Sequence, residues 1–350
     1  MVRLLMVTPK YKPYFGGASH VFGLIAENLV AKYGDEVRVL TSSAKEYSGM
    51  HKGVKIRRLF PYFTKKWQKI LFAPIGFLMV FFYFLKNSRK FDVVESHTVG
   101  EICLFSQIMA KLFRKKLVKH VIDMHTSKRL LKWPKADRYI NCGTVITDKM
   151  IKAGIPRTRI HEINLPIVSN SNKNYNKNKK GAKIFMFVGE VSKKKGVKDL
   201  LSAMYYLPKT GESADIELHI AGTGPMSKKI EKAAKHDERI VCHGHMHHNN
   251  VINMMKHTDV LVHPTYDDVM PLTVLEAMMM GNAIITRDVG EIKKNVNGAG
   301  IFVHNREELL QAMKDVIEKD PVDKKKKALK QFAEYSEQDV YGLNRKAVLF

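Results

Sequence analysis

Two carboxylates eight residues apart, with a helix start between them, are the most chemically suggestive feature of this chain. They lie in His263-Pro-Thr-Tyr-Asp-Asp-Val-Met-Pro-Leu-Thr-Val-Leu-Glu276, as Asp268 and Glu276, with Asp267 beside the first. Pro271 suits the first turn of a helix, so the unpaired N–H groups of that turn open near Leu272 and Thr273. Such an end attracts phosphate, and flanking carboxylates accept hydrogen bonds from hydroxyls. Upstream, Lys193, Lys194 and Lys195 precede Gly196 and offer charge to an anion. Gly16 and Gly17, and Gly222 and Gly224, stand where small residues let backbone turn tightly and approach a ligand. His125 and His97 follow strand-like runs and could hydrogen-bond a substrate. The run His243-Gly-His-Met-His-His248 invites a metal reading, but no acidic or cysteine partner of recognised spacing accompanies it.

The elements that must hold these residues alternate between short β-branched runs and longer helical patterns, the mark of a parallel α/β architecture. In the first half the strands read as 4–7, 37–41, 54–58, 92–96, 117–124, 139–140 and 160–163, with helices at 18–33 and 102–113. Residues 169–180 are almost entirely Ser, Asn and Lys and read as a linker. A second series follows, with strands at 184–188, 216–221, 240–243, 260–262, 283–286 and 301–303. Its helices are expected at 197–206, 225–235, 249–256, 271–280 and 306–319. The expected division is a first domain at 1–168, the linker, a second domain at 181–336, and a final segment at 337–350. Open α/β sheets bind ligands at the carboxyl ends of their strands.

The acidic segment resembles the E-x7-E region of glycosyltransferase family 4, retaining enzymes of the GT-B fold. The segment Phe187-Val-Gly-Glu-Val-Ser-Lys-Lys-Lys-Gly196, the loop Ala221-Gly-Thr-Gly-Pro225 and the Tyr14-Phe15-Gly16-Gly17 turn resemble further family loops in the same order. The resemblance implies an α/β protein of two Rossmann-like doubly wound domains facing a cleft, with the final segment crossing back onto the first domain. It implies transfer of a hexose-type residue from a nucleoside-diphosphate sugar to an acceptor hydroxyl, with retention and without a metal cofactor. By position, Asp268 would meet the donor sugar, Glu276 the ribose, and Lys195 the diphosphate beside Pro271, Leu272 and Thr273 at the helix end. His125 would serve the sugar or acceptor, with His97 a weaker candidate. Two departures stand out: Asp268 occupies a place where Glu is usual, with Asp267 as a substitute, and Glu190 occupies the place of an Arg.

Composition adds a second theme. The net charge is +25, and residues 1–168 hold 30 Lys and Arg against 11 Asp and Glu. That half also contains Leu71-Phe-Ala-Pro-Ile-Gly-Phe-Leu-Met-Val-Phe-Phe-Tyr-Phe-Leu85, flanked by lysines and arginine. Interrupted by Pro74 and Gly76, the run reads as too short to span a bilayer, which needs about 20 residues, but suited to an interface. Peripheral docking on anionic lipid, with a glycan or lipid-linked acceptor, is therefore expected; a core helix with a basic margin is the other reading. Three scattered cysteines and no CxxC pair suggest a reducing, cytoplasmic setting. Two competing functions remain: a non-catalytic binder or scaffold, supported by Glu190 and Asp268, and a nucleic-acid binder, supported by charge alone. No nucleic-acid-binding motif accompanies that charge, so no nucleic-acid partner is expected.

Overall fold

The computed structural model describes residues 1–12, 16–43, 48–61, 65–123, 125–167, 183–208 and 216–349. The chain forms two compact units, 1–166 with 339–350, and 167–338. The expected linker, Tyr14, Phe15 and Met124 lie outside the described residues.

The first unit has strands β1 (Arg3–Thr8), β2 (Glu36–Ser43), β3 (Gly49–His51), β4 (Val54–Pro61), β5 (Val93–His97), β6 (Lys116–Val121), β7 (Arg138–Asn141) and β8 (Ile160–Glu162). Its helices are α1 (Gly17–Tyr33), α2 (Lys66–Asn87), α3 (Glu101–Leu112), α4 (Lys128–Lys132) and α5 (Thr144–Lys152). The sheet order is β3-β4-β2-β1-β5-β6-β7-β8, parallel except for the edge strand β3. β1 and β5 are buried along nearly their whole length, as expected of parallel strands covered on both faces.

The apolar run forms α2, and here the expectation is corrected. The helix continues through Pro74 and Gly76 for 22 residues, about 33 Å at the usual rise. Residues 70–90, with mean hydropathy 1.8, are long and apolar enough to cross a membrane by length and composition. One side of α2 is tied to the domain, where Val80 and Phe84 are fully buried and Phe84 meets Phe91 edge-on at 5.3 Å between centroids. The other side is bare: Trp67, Leu71, Ile75, Leu78, Phe82 and Leu85 are each more than half exposed. Their steps of three and four residues form one helical stripe.

The second unit has β9 (Lys183–Val188), β10 (Ile216–Ala221), β11 (Ile240–Gly244), β12 (Val260–His263), β13 (Ala283–Thr286) and β14 (Gly300–Phe302). Its helices are α6 (Val197–Tyr206), α7 (Ser227–His236), α8 (His248–Met255), α9 (Leu272–Met279), α10 (Ile292–Val296), α11 (Arg306–Glu318) and α12 (Val322–Ser336). The all-parallel order β11-β10-β9-β12-β13-β14 is the 3-2-1-4-5-6 arrangement of dinucleotide-binding sheets. Its strand order reverses between β9 and β12, so the loops leaving those two strands border the natural ligand crevice.

Residues 339–350 belong to the first unit through α13 (Val340–Val348), which packs on α1 and β7. Arg345 Nε bonds Asp35 Oδ2 at 2.7 Å, and the same buried aspartate accepts from Val2 N at 2.8 Å.

Candidate functional site

The loops at the switch point of the second sheet bring the basic and acidic motifs into contact. Lys195, in the turn after β9, forms an ion pair with Asp268, in the loop after β12. Lys194 likewise pairs with Asp267. His263, the last residue of β12, stacks near Phe187 at 6.3 Å and places Nε2 3.3 Å from Asp268 Oδ2. Burial works against ionisation of Asp268, but the hydrogen bond from His263 and the charge of Lys195 prevail and hold its carboxyl below the usual range. The expected sugar-contacting acid and phosphate-contacting cation thus already neutralise one another.

The Asp268 loop is clamped from behind by Gly290. At φ +56 its backbone comes so close to Asp268 O and Val269 O that an added Cβ would lie 2.3 Å from each. Glu291 N donates to Val269 O at 2.7 Å. On the far side, Arg287 pairs with Asp199 at 2.8 Å, donates to Pro264 O at 3.1 Å, and covers the Tyr266 ring at 4.0 Å. A rigid frame therefore holds the loop that carries Asp267 and Asp268.

Pro271 caps α9 rather than opening it, leaving Leu272 and Thr273 in the first turn. Thr273 has a buried hydroxyl without a hydrogen-bond partner among the described residues, a second polar group at the helix end besides its free N–H groups. Glu276 is almost wholly buried, with Oε1 3.7 Å from His248 Nδ1, and burial pushes its carboxyl up to about 7. His248 comes from the start of α8.

Gly222 and Gly224 have a structural role in the packing of two loops. A Cβ on Gly222 would lie 1.8 Å from Gly189 O, and one on Gly224 2.5 Å from Val191 O. Backbone bonds join the same loops, from Gly189 N to Ala221 O and from Val191 N to Thr223 O. These glycines let two adjacent strand-end loops touch each other. Glu190 stands exposed between the joined positions.

In the first unit, Gly16 caps α1 in extended conformation and its carbonyl accepts from His20 N and Ser19 Oγ. Gly17 begins the helix and is exposed. β6 ends at Val121, so His125 stands four residues beyond it in an exposed turn, its N–H bonded to Asp123 Oδ1 at 2.8 Å. His97 is in the core, its ring 3.8 Å from Phe22 and its Nδ1 3.1 Å from Thr8 Oγ1. Burial, with His120 adding to it, holds His97 well below the ordinary histidine range and keeps it neutral, and its Nε2 is buried without a hydrogen-bond partner among the described residues.

Among the described residues, no group of three or more His, Cys, Asp or Glu could hold a metal. In the histidine run, His243 stacks on His219, whose other nitrogen meets Glu217 at 2.8 Å.

The fold is that of the GT-B glycosyltransferases: an α/β chain of two parallel-sheet, Rossmann-like domains. Residues 168–339 match the family model of glycosyl transferases group 1. A stretch of 144 residues is 28% identical to an uncharacterized glycosyltransferase of Methanocaldococcus jannaschii, covering 39% of this chain and 36% of that protein. The matched stretch thus spans about a third of that relative's length. Among solved structures, Anabaena HepE in complex with UDP and glucose superposes with a TM-score of 0.73 at 16% identity, over 99% of this chain and 98% of that one. Sucrose-phosphate synthase from Thermosynechococcus elongatus gives 0.76 at 15%, over 99% and 96%. WaaG, a glycosyltransferase involved in lipopolysaccharide biosynthesis, gives 0.71 at 19%, over 99% and 98%. The second domain is thus similar to group 1 glycosyl transferases, and the chain as a whole shares the fold of these solved structures.

Proposed function

We propose that the protein transfers a hexose-type sugar from a nucleoside diphosphate to an acceptor hydroxyl, with retention at the anomeric carbon. The observation that carries this reading is the meeting of Lys195 and Asp268 at the switch point of a 3-2-1-4-5-6 sheet, beside the amino end of α9. In this reading Glu276 accepts from the ribose hydroxyls. Thr273, the first-turn N–H groups of α9 and Lys195 take the diphosphate, meeting the charge that develops as it departs. Asp268 exchanges its lysine for the donor sugar and orients it. The diphosphate is neutralised by these groups without a bound metal. The UDP and glucose in the HepE complex make UDP-sugars the first donors to test. The acceptor is a glycan or lipid-linked molecule at a cytoplasmic membrane face, and His125 and the Gly16-Gly17 turn are assigned to the sugar or the acceptor.

Thermal shifts with UDP-, GDP- and ADP-sugars in buffer containing EDTA, followed by transfer assays and NMR of the product anomer, test the reading. One donor should raise the melting temperature. Glu276→Ala should weaken its binding by about 10- to 150-fold, the equivalent of about 1.5–3 kcal/mol for a hydrogen bond to a charged group. Asp268→Asn should lower turnover far more than donor affinity. Full affinity and full turnover in both variants would overturn the assignment. The exposed Glu190 favours a second reading, a donor-binding protein without turnover; donor binding with no transfer to any acceptor would select it.

A further inference from the structure

The bare face of α2 leads into a groove between that helix and the β3–β4 edge of the first sheet, about 720 Å³ in volume. Five cations line it: Arg38 from β2, Lys55 and Arg57 from β4, and Lys86 and Lys90 from α2 and the turn beyond. No carboxylate lines it among the described residues. Met79 and Phe82 from the helix and Ile56 and Leu59 from the strand supply apolar wall beside the cations.

The groove is built for an anion. Arg38 Nε is buried without an acceptor among the described residues, although its Nη2 lies 3.8 Å from Glu36 Oε2. Arg38 and Arg57 line the groove together with Tyr83, whose hydroxyl is pushed up to about 12 by burial, against the opposing charge of the two arginines. Its location separates it from a substrate site. Arg38 and Lys55 are register partners near the starts of their parallel strands, and Lys86 and Lys90 lie at the far end of α2. Substrates of open α/β sheets bind at the opposite, carboxyl, ends.

Phe82 and Lys86 belong both to the groove and to the outer side of α2, so groove and apolar stripe form one continuous surface. An occupant must therefore present a negative headgroup to the cations and hydrocarbon to Met79, Phe82 and the stripe. A soluble polyanion satisfies only the first demand, and a neutral lipid only the second. We propose that this groove binds one anionic phospholipid of a bilayer, its phosphate on the five cations and its acyl chains along α2, which lies in the membrane interface with Trp67 at its other end. This inference deepens the membrane part of the function proposed above and is independent of the donor chemistry.

The test is flotation of the full chain with phosphatidylcholine vesicles containing or lacking phosphatidylglycerol, at low and physiological salt. Two double variants of equal charge change are compared, Arg57→Glu with Lys86→Glu in the groove, and Lys128→Glu with Arg129→Glu on α4. Thermal melts establish that each is folded. A soluble short-chain phosphatidylglycerol and glycerol phosphate are titrated alongside. The unaltered chain should float only with the anionic vesicles, and the groove variant should bind about tenfold or more weakly than the α4 variant. The short-chain lipid should bind where glycerol phosphate does not. Equal losses in the two variants, equal binding to both vesicle types, or no binding by the unaltered chain would overturn the proposal. If the groove variant does not fold, Leu78→Asn with Phe82→Asn on the exposed stripe must lose vesicle binding by the same margin, and retention overturns it. Nucleotide-sugar thermal shifts on the same samples separate the two ideas, because a retained donor shift without lipid binding condemns only the lipid site.

Discussion

At the scale of single residues, Glu276 carries the most informative tension. A carboxyl that is buried without a hydrogen-bonded cation prefers to be neutral, so its folded value rises to about 7 from the ordinary 4.5. The folded state then holds more protons than the unfolded chain between those values, and stability falls as pH rises from about 4.5 through 7. Glu276→Gln should remove that slope. The variant should match the parent at low pH and be more stable above pH 7, by up to about 3 kcal/mol. Chemical denaturation across that range checks this, and a variant that is uniformly less stable would contradict it. In the proposed donor site, ribose hydroxyls donating to the carboxylate would favour its charged form, so nucleotide affinity should also strengthen through pH 7 in the parent and stay flat in the variant. A group that costs stability where its ligand gains affinity fits a site kept for binding rather than for folding.

At the scale of elements, the glycines divide into two kinds that the sequence shows identically. Gly222 has φ +144 and no room for a Cβ, whereas an added Cβ on Gly16 would find Ser19 Oγ at a comfortable 3.7 Å as its nearest described neighbour. Gly222→Ala should therefore destabilise the second domain by about 2 kcal/mol or more, from backbone strain and overpacking. Gly16→Ala should change stability by less than about 1 kcal/mol, so any larger loss of activity would reveal a ligand near α1. Denaturant midpoints with transfer rates decide both. Strands such as β9 and β12 were legible because buried parallel strands concentrate β-branched and aromatic residues into short runs. β3 was not, since Gly49-Met-His51 is a three-residue edge strand with no such signal. The unbroken course of α2 was hidden by Pro74, whose missing N–H costs a helix about 3 kcal/mol but is outweighed here by one packed face. For the candidate site, residue types and spacing pointed to Lys195, Asp268 and Glu276. The ion pair joining residues 73 apart, and the parts played by His263 and His248, depend on which loops the sheet order brings together.

At the scale of the whole molecule, the division of the chain does not follow its order. The first domain is assembled from residues 1–166 and 339–350, with the entire second domain lying between them in sequence. Removing residues 339–350 would take away α13, its cover over α1 and β7, and Arg345, the charged partner of the buried Asp35 carboxylate. The truncated chain should show a lower unfolding midpoint for the first domain and an unchanged one for the second, which calorimetry or hydrogen exchange would resolve as separate transitions. A single transition shifted as one would mean that the domains unfold together.

That interleaving has a consequence for synthesis. A ribosome that has completed residues 1–166 has produced a sheet whose α1 and β7 surfaces and Asp35 still await residues made only after another 172 have emerged. At roughly 5–20 residues per second, the wait lasts about ten seconds to half a minute. The second domain, continuous in sequence, has no such delay and is free to finish first. Throughout that interval the α1 and β7 surfaces of the nascent first domain stay without the cover of α13. During synthesis, therefore, the second domain should become resistant to protease before the first does.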